Sequence, residues 1–185
     1  SNNTITVNWG GAGVYMSGGT LENSLIVTNH HATFGTISGG GIRFYHHGLI
    51  RNCTITGNVA SNGGGLDWNS TYDQQGLCNC IIYGNIATNT NPDISGTPST
   101  KVTNVCSSVA IGVNTTGRDL TQDPGFKAPR KGNYRLRLSS PCRDCAWGVP
   151  PTQVDLDGNP RLFGKRMDLG CYELNARSAM IFLVR

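Results

Sequence analysis

The stretch "NCTITGN", residues 52–58, decides the fold because three other segments of the chain repeat its pattern. Each copy has Asn at its first and seventh positions and mostly strand-forming residues between them. The copies occupy residues 2–8, 23–29, 52–58 and 79–85. A period of about 20 to 30 residues, made of short strands and turn residues, is typical of a solenoid in which equivalent strands stack.

A second, glycine-rich motif alternates with the first. It reads "GAGVYM" at residues 11–16, "GGGIRF" at 39–44 and "GGGLDW" at 63–68. A leucine-rich repeat would need a ladder of leucines and a helical return, and a propeller blade would be longer, at about 40 residues. The alternation therefore predicts an all-β fold, a parallel β-helix, that ends in an irregular C-terminal cap region.

The composition supports one β-rich domain and limits the function. The chain has 185 residues, of which 25 are glycine, and only 14% of its residues are charged. The net charge of +4 is modest. Its basic residues cluster late in the chain, and we interpret them as a solvated cap and not as a nucleic-acid surface. No segment approaches the roughly 20 apolar residues of a membrane span.

Alternation of side chains along each strand predicts which columns of the solenoid face its interior. Two inward columns are predicted from the first motif: Ile5, Ile26, Ile55 and Ile82, and, two residues earlier, Asn3, Ser24, Cys53 and Cys80. The intervening columns are predicted to face outward: Thr4, Leu25, Thr54 and Ile81, and then Thr6, Val27, Thr56 and Tyr83. Because no coil can bury its core alone, each coil depends on its neighbours for stability.

The second motif predicts three inward pairs and one outward column. The inward pairs are Val14 with Met16, Ile42 with Phe44, and Leu66 with Trp68; the outward column is Tyr15, Arg43 and Asp67. Arg43 and Asp67 stand one coil apart, as do Glu22 and Arg51. We expect each of these two pairs to form a surface ion pair, which contributes little to stability.

The asparagines that close the strands are expected to form a structural ladder, which consists of Asn8, Asn29, Asn58 and Asn85. Asn tolerates the left-handed backbone conformation that a sharp bend requires. Stacked at the spacing of the coils, each amide can bond to the same amide one layer away. The glycine triplets are expected at the opposite bend, where a side chain would clash.

Seven cysteines raise the question of disulfides: Cys53, Cys78, Cys80, Cys106, Cys142, Cys145 and Cys171. Cys53 and Cys80 share a column, and strands about 4.8 Å apart permit either a disulfide or a reduced stack of small core residues. Cys78 competes for either partner. A disulfide from Cys142 or Cys145 to Cys171 or Cys106 is also expected, with the connectivity left open. Disulfides together with a chain that starts without Met favour an exported protein.

The C-terminal motifs carry a resemblance to a known family. They read "DPGF" at 123–126, "NYRL" at 133–136, "SPCRDCA" at 140–146, "DLDGNPR" at 155–161 and "DLGCYE" at 168–173. With the coils before them, these motifs resemble the bacterial right-handed parallel β-helix proteins, secreted or on the cell surface, that have a choice-of-anchor Q-type C-terminal region. The resemblance covers nearly all of residues 2–173. We assign parallel β-helix coils to residues 1–100, the closing region to 101–173 and an apolar strand or tail to 174–185.

A cation site is one interpretation of the closing motifs. Asp155, Asp157, Asn159 and Asp168 supply oxygen atoms suited to calcium, but the Glu at the end of an EF-hand loop is missing. The default interpretation is a turn held by side-chain to backbone bonds, with no cofactor. The doublets at 30–31 and 46–47 are two histidines each. They are read as exposed turn residues or, alternatively, as ligands of a metal.

The function predicted from these features is that of a non-catalytic extracellular module with a structural or adhesive role. The acids of the coils (Glu22, Asp67, Asp73, Asp93) do not stack into one column, as a catalytic face for acidic polysaccharides would require. An alternative is a β-helix that binds carbohydrate or acts on it as a lyase or epimerase. A strip for stacking sugar rings would then consist of Tyr15, Arg43, Tyr45, Trp68, Tyr72 and Tyr83.

The predicted partners are a cell-surface glycan or a second copy of the chain. Residue 2 already stands inside a repeat strand, so this end of the solenoid needs a cover. The apolar segment from Ala179 to Val184, "AMIFLV", has no obvious place in the closing region: Ala179, Met180, Ile181, Phe182, Leu183 and Val184. Docking of this segment on a neighbouring chain by strand addition would build a head-to-tail filament.

Overall fold

The computed structural model describes residues 2–5, 13–31, 36–68, 75–89, 91–96, 102–111, 115–150 and 152–175. Its strands are β1 (Asn2–Ile5), β2 (Val14–Met16), β3 (Thr20–Glu22), β4 (Leu25–His31), β5 (Ile42–Phe44), β6 (Gly48–Arg51), β7 (Thr54–Thr56), β8 (Val59–Ala60), β9 (Leu66–Trp68), β10 (Gln75–Ile82), β11 (Ile86–Ala87), β12 (Ile94–Ser95), β13 (Val102–Ser107), β14 (Thr115–Leu120), β15 (Phe126–Ala128) and β16 (Asn133–Leu136). A 3-10 turn, Pro129–Lys131, joins the last two strands. Within the described residues, no helix has the length and apolar character needed to cross a membrane.

The strands form two parallel sheets and one antiparallel hairpin. A large sheet contains β1, β3, β4, β6, β7, β8, β10, β11, β13 and β14, and a smaller sheet follows the order β12-β9-β5-β2. Strands from successive coils pair in both sheets, while β15 and β16 pair antiparallel to each other. The all-β class and the parallel β-helix architecture predicted from the two motifs are therefore confirmed.

The isoleucine column is confirmed for three of its four members. Ile26 pairs with Ile55, and Ile55 pairs with Ile82. All three side chains are buried in one core cluster with Cys53 and Cys80. The common interior stack therefore joins three coils, whose strands are in register.

The prediction for Ile5 is wrong, because Ile5 pairs with His31 and not with Ile26. Strand β1 runs beside the C-terminal half of β4, with a register shift between Asn2 and Thr4. Register is weakly specified in a polar strand, and β1 begins with two asparagines and a threonine. Asn8 lies outside the described residues.

The small sheet follows the predicted columns. Val14 pairs with Ile42, which pairs with Leu66. The inward residues Met16, Phe44 and Trp68 are buried and stack from coil to coil. Phe44 and Trp68 meet edge to face, with ring centroids 5.2 Å apart, an arrangement that aromatic pairs prefer. These side chains and the isoleucine column together fill the interior of the solenoid.

The bends use different residues from those predicted. The left-handed backbone conformation occurs at the asparagines that open each first-motif strand, Asn23, Asn52, Asn79 and Asn104. At the closing end it falls on the residue before each asparagine: Thr28, Gly57 and Gly84. The glycine triplets lie where expected, at a close approach of coils. A Cβ at Gly64 would lie 2.2 Å from the carbonyl oxygen of Ile86.

The closing asparagines form the predicted ladder. The amide of Asn29 donates to Oδ1 of Asn58 at 2.8 Å, and the amide of Asn58 donates to Oδ1 of Asn85 at 3.0 Å. Asn85 donates in turn to Oδ1 of Asp93 at 2.9 Å. Each acceptor oxygen also receives the main-chain N–H of the preceding ladder residue, at 3.0 Å. The ladder thus ends on a buried carboxylate, whose Oδ2 accepts the N–H of Ser108 at 2.8 Å.

The parallel ladder continues beyond residue 100. Strand β13 pairs with β10, and β14 pairs with β13. Strand β13 lies within the segment "KVTNVCSSV", residues 101–109, and forms a further rung of the coils. The two strands extend the parallel pairing into the range 101–173, which the sequence motifs assign to the closing region.

Most described residues of the outward columns of the large sheet are buried, contrary to the simplest interpretation of the alternation. Val27, Thr54, Thr56 and Ile81 are all buried. A second core cluster joins the apolar members of this face to the C-terminal segment, including Phe126, Tyr134, Leu136, Met167, Leu169 and Tyr172. The closing region therefore lies as a layer on the outside of the large sheet and adds a second core.

The opening asparagines hold this C-terminal layer in place. The amide of Asn79 donates to the carbonyl of Trp147 at 2.9 Å and accepts its N–H at 3.0 Å. Asn23 donates to the carbonyl of Val154 at 3.2 Å. The hydroxyl of Thr54 accepts the N–H of Cys171 at 3.2 Å. Asn79 and Thr54 are thus buried with hydrogen-bond partners, as burial of polar groups generally requires. Among the described residues, the side chain of the buried Asn52 has no such partner.

No disulfide joins any of the seven cysteines, all of which lie in described segments. The expected bridge from Cys142 or Cys145 to Cys171 or Cys106 is not formed, and the reduced stack is the outcome for Cys53 and Cys80. The thiols donate to main-chain carbonyls instead: Cys53 to Arg51 at 3.2 Å, Cys80 to Cys78 at 3.1 Å, Cys106 to Gln122 at 3.3 Å and Cys145 to Pro141 at 3.0 Å. Their role in this structure is packing.

Candidate glycan-contact surface

The outward column of the small sheet carries the residues that the sequence singles out for carbohydrate contact. Tyr15 pairs with Arg43, Arg43 pairs with Asp67, and Asp67 pairs with Ser95. Because neighbouring strands lie about 4.8 Å apart, these four side chains follow one another at that spacing across four coils. Ser95 belongs to this column and was not predicted, since the glycine triplet that marks the other coils is missing before β12.

Two exposed tyrosines lie side by side at one end of this column. Tyr15 is 48% exposed and Tyr45 is 36% exposed. Their ring centroids are 6.0 Å apart and their planes differ by 30°. The guanidinium carbon of Arg43 lies 5.7 Å from the centroid of the Tyr45 ring, within the range of a cation–π contact. We call Tyr15, Tyr45, Arg43, Asp67 and Ser95 the tyrosine surface.

Hydrogen bonds and charge fix the polar end of the tyrosine surface. Nε of Arg43 lies 3.6 Å from Oδ2 of Asp67, and the hydroxyl of Ser95 donates to Oδ1 of Asp67 at 2.6 Å. Burial raises the pKa of Asp67, while the bond from Ser95 and the charge of Arg43 act in the opposite direction. The predicted ion pair between Arg43 and Asp67 is thus confirmed. A charged and polar group stands beside the two aromatic faces.

The other residues of the predicted strip do not join this surface. Trp68 is 2% exposed and packs against Phe44 in the interior, so its prediction as a carbohydrate contact is wrong. The alternation of side chains in the second motif predicts that Trp68 faces the interior, and this other prediction is confirmed. Tyr83 follows β10 of the large sheet and lies beside the C-terminal layer. Tyr72 lies outside the described residues.

The acids that could serve catalysis or bind a cation have other partners. Glu22 pairs with Arg51 at 2.6 Å, as predicted. Oδ1 of Asp155 accepts the N–H groups of Asp157 and Asn159, each at 2.8 Å, and its Oδ2 accepts that of Glu173 at 2.8 Å. These bonds are those of the turn predicted as the default for the closing motif.

The remaining oxygens of the candidate cation site are also engaged. The carboxylate of Asp157 is bound by the guanidinium of Arg135. Asp168 accepts the N–H groups of Asp144 and Leu174, each at 2.8 Å. In the part of the chain that the structure describes, no group of three or more His, Cys, Asp or Glu is arranged to hold a metal ion.

The first histidine doublet lies at the end of β4 in the large sheet, and the second lies between β5 and β6. His30 is exposed and belongs to β4, where it pairs with Val59, so it is a strand residue and not the turn residue expected. His46 follows β5, and its ring meets that of Tyr45 edge to face at 4.6 Å. His46 therefore flanks the tyrosine surface, while His47 beside it is exposed.

A buried network around Arg161 closes the C-terminal layer and was not predicted. Arg161 is fully buried; its Nη1 lies 3.4 Å from Glu173, and its Nη2 donates to the carbonyl of Gly170 at 3.0 Å. Both carboxylate oxygens of Glu173 accept the N–H of Asp168, at 2.9 and 3.1 Å. Burial raises the pKa of Glu173 to about 9, with the charge of Asp168 in the same direction and that of Arg161 opposed.

Comparison of the chain with protein-family models, with curated proteins and with solved structures found no match in any of the three. What is established is therefore a mostly-β protein with parallel sheets stacked as in a β-solenoid. The likeness to proteins with a choice-of-anchor Q-type region remains a resemblance carried by the sequence motifs.

Proposed function

We propose that this chain is a non-catalytic extracellular β-helix module that adheres to glycans through the tyrosine surface. The observation that carries the proposal is the pair of exposed tyrosines, whose ring centroids are 6.0 Å apart. Aromatic faces pack well against the apolar faces of sugar rings. The neighbouring Arg43 is partly exposed and supplies donors for hydroxyl groups, while the buried Asp67 and Ser95 hold its position.

The position of the tyrosine surface on stacked coils supports an adhesive role. Tyr15 and Arg43 belong to adjacent strands of a parallel sheet, so their main-chain positions are set by the register of the coils. A contact surface built on strands is more rigid than one built on loops. Such a surface binds a polymer without closing over it, which suits attachment.

The test is binding of the purified chain to a panel of polysaccharides and immobilised glycans. The double variant Tyr15→Ala/Tyr45→Ala should weaken binding at least about fivefold, since two aromatic contacts at about 0.5–1.5 kcal/mol each contribute about 1–3 kcal/mol and 1.4 kcal/mol corresponds to a factor of ten. Trp147→Ala removes another exposed aromatic side chain, 64% exposed, and should change binding less than twofold. Equal binding by the double variant would refute the proposal.

A second measurement on the same panel distinguishes the adhesive proposal from the alternative, a lyase or epimerase that acts on polysaccharides. Incubation of each bound polysaccharide with the chain, followed by size-exclusion chromatography and NMR of the sugar ring protons, detects cleavage and epimerisation. The proposal expects neither change. Turnover of any polysaccharide that Tyr15→Ala/Tyr45→Ala abolishes would establish the enzymatic alternative instead.

Head-to-tail assembly into a filament is a second proposed property. The segment from Ala179 to Val184 that would mediate it lies outside the described residues. Leu174 donates its N–H to Asp168 within the C-terminal layer, so a truncation that removes only the tail should end after Asn175. Light scattering of the full and truncated chains is the test. An identical assembly state in both would remove the role of the tail.

A further inference from the structure

A cavity of about 380 Å³ lies between the large sheet and the C-terminal hairpin. One wall comes from the ends of two coils, with Tyr83 and Gly84 among its residues, and the other comes from β15, the 3-10 turn and β16. The volume falls within the range of about 300 to 1,000 Å³ that is typical of small-molecule sites. This cavity does not include any residue of the tyrosine surface.

The coils form a floor without large side chains. Gly57 and Gly84 are stacked in adjacent coils, and the N–H of Gly57 donates to the carbonyl of Gly84 at 3.2 Å. Both have positive φ, at 66° and 72°, a conformation that favours glycine. Since neither residue has a side chain, space remains between Tyr83 and the hairpin.

Aromatic rings form the walls of this cavity. Phe126 and Tyr134 meet edge to face at 5.5 Å, and both are largely buried, so their positions are fixed. Tyr83 is half-buried and faces the cavity from the other wall. Among the described residues, neither tyrosine hydroxyl donates to a protein acceptor. Burial raises the pKa of Tyr83 and of Tyr134, so both stay protonated and able to donate at neutral pH.

The rim of the cavity is cationic. Arg130 and Arg137 line it and are exposed. In the described part of the chain, neither forms an ion pair with a carboxylate, whereas Arg43, Arg51, Arg135, Arg143 and Arg161 all do. Asp123 also lines the cavity, and its Oδ1 accepts the N–H of Gly125 at 2.7 Å. The lining therefore carries two guanidinium groups against one carboxylate.

We propose that this cavity binds an acidic sugar residue, a pyranose ring that carries a carboxylate. The apolar face of the ring would lie against Tyr83, and the carboxylate would lie between Arg130 and Arg137. A guanidinium group binds a carboxylate through paired, charge-assisted hydrogen bonds. Asp123 and the tyrosine hydroxyls would bind the ring hydroxyls. Nη2 of Arg137 also donates to the carbonyl of Lys127 at 3.5 Å. A neutral sugar would leave both arginines without a carboxylate partner, so the site selects for the acid.

The test measures binding of two probes by isothermal titration calorimetry. The first probe is a trimer of galacturonic acid, and the second is the same trimer with its carboxylates reduced to alcohols. The wild-type chain should bind the acidic trimer at least tenfold more tightly than the neutral one. Absence of binding to the acidic trimer at millimolar concentration, or equal binding of the two probes, would overturn the proposal.

A matched pair of variants separates a specific site from general charge attraction. Arg130→Gln/Arg137→Gln should weaken binding of the acidic trimer at least tenfold. Lys127→Gln/Lys131→Gln removes the same charge from the same hairpin, at exposed residues that do not line the cavity, and should change binding less than twofold. An equal loss in both variants would overturn the proposal. Thermal unfolding of each variant confirms that the hairpin remains folded.

Two further measurements define the ligand and distinguish binding at this cavity from the proposed glycan binding at the tyrosine surface. A neutral trimer bearing sulfate groups should bind more weakly than the carboxylate trimer; tighter binding of the sulfated probe would overturn the carboxylate assignment. Tyr15→Ala/Tyr45→Ala should bind the acidic trimer as the wild type does. If it does not, the acid binds at the tyrosine surface and the cavity proposal fails, while the adhesive proposal stands.

Discussion

Replacing Asn58 with alanine removes the middle amide of the asparagine ladder. Asn58 is fully buried. Its Oδ1 accepts both the main-chain N–H of Asn29, at 3.0 Å, and the side-chain amide of Asn29, at 2.8 Å. Its own amide group donates to Asn85 at 3.0 Å and to the carbonyls of Ile26 and Thr56 at 3.0 and 3.2 Å. Alanine leaves both donors of Asn29 without their acceptor, whereas Oδ1 of Asn85 keeps the main-chain N–H of residue 58.

The size of the effect follows from the two donors of Asn29. A buried donor that loses its acceptor costs about 1–3 kcal/mol. Loss of the acceptor of two such donors therefore lowers the free energy of unfolding by about 2–6 kcal/mol, even if the carbonyls of Ile26 and Thr56 cost little. Asn91→Ala is the control, because Asn91 is an exposed asparagine in the same part of the chain. It should change the free energy of unfolding by less than about 0.5 kcal/mol.

The assay is urea denaturation followed by circular dichroism. With a urea dependence of about 2 kcal/mol per M, Asn58→Ala should move the midpoint to a urea concentration about 1–3 M lower. The slope of the transition should stay the same, since the solenoid still unfolds as a unit. A midpoint within about 0.3 M of the wild type, as expected for Asn91→Ala, would show that the ladder contributes nothing to stability.

Three further predictions concern the acids and the thiols. Asp93→Asn should lower the free energy of unfolding by about 1–3 kcal/mol, because the new NH2 group would lie opposite another donor, either the N–H of Ser108 or the amide of Asn85. A urea midpoint equal to that of the wild type would contradict this prediction. Burial raises the pKa of Glu173 to about 9 from 4.5, so its contribution to stability is present below about pH 4.5 and is lost as the pH rises through 9. Glu173→Gln should therefore flatten the fall in the free energy of unfolding between pH 5 and pH 8.5, and a parallel pH profile for the two proteins would refute that account. Burial also raises the pKa of the Cys80 thiol and raises that of Cys171 to about 12, and a hydrogen bond with Cys142 raises the pKa of Cys106. Mass spectrometry after brief alkylation at pH 7.5 should therefore find label first on Cys78, which is half-buried. Early label on Cys53, Cys80 or Cys171 would count against their role in buried packing.

The coils were predictable because their signal is repeated. A column such as Ile26, Ile55 and Ile82 places the same residue at the same position of several coils, and stacking requires that these positions coincide. The ion pair between Glu22 and Arg51 followed from the same alignment. The prediction for Ile5 was wrong because β1 begins with polar residues, and a change in the register of polar residues loses no buried apolar contact.

The C-terminal layer was not predictable in the same way. Thr54 and Thr56 are compatible with solvent and equally with a buried, hydrogen-bonded site, and the structure places both under the layer. The closing motifs are rich in turn residues and have no regular spacing of apolar residues. The cavity beside Tyr83 is lined by segments more than 40 residues apart in the chain, such as those of Tyr83 and Phe126, and a local sequence pattern does not show that such segments lie close together.

The carboxylate at the end of the asparagine ladder gives the solenoid a direction. A side-chain amide accepts a hydrogen bond from one neighbouring coil and donates one to the next, so stacked asparagines can repeat this bond through any number of coils. Asp93 accepts from Asn85 and from Ser108 and has nothing to donate. Asp93 therefore ends the asparagine ladder. Coils duplicated before Asp93 would lengthen this ladder, whereas a coil inserted after it would have to begin a new ladder.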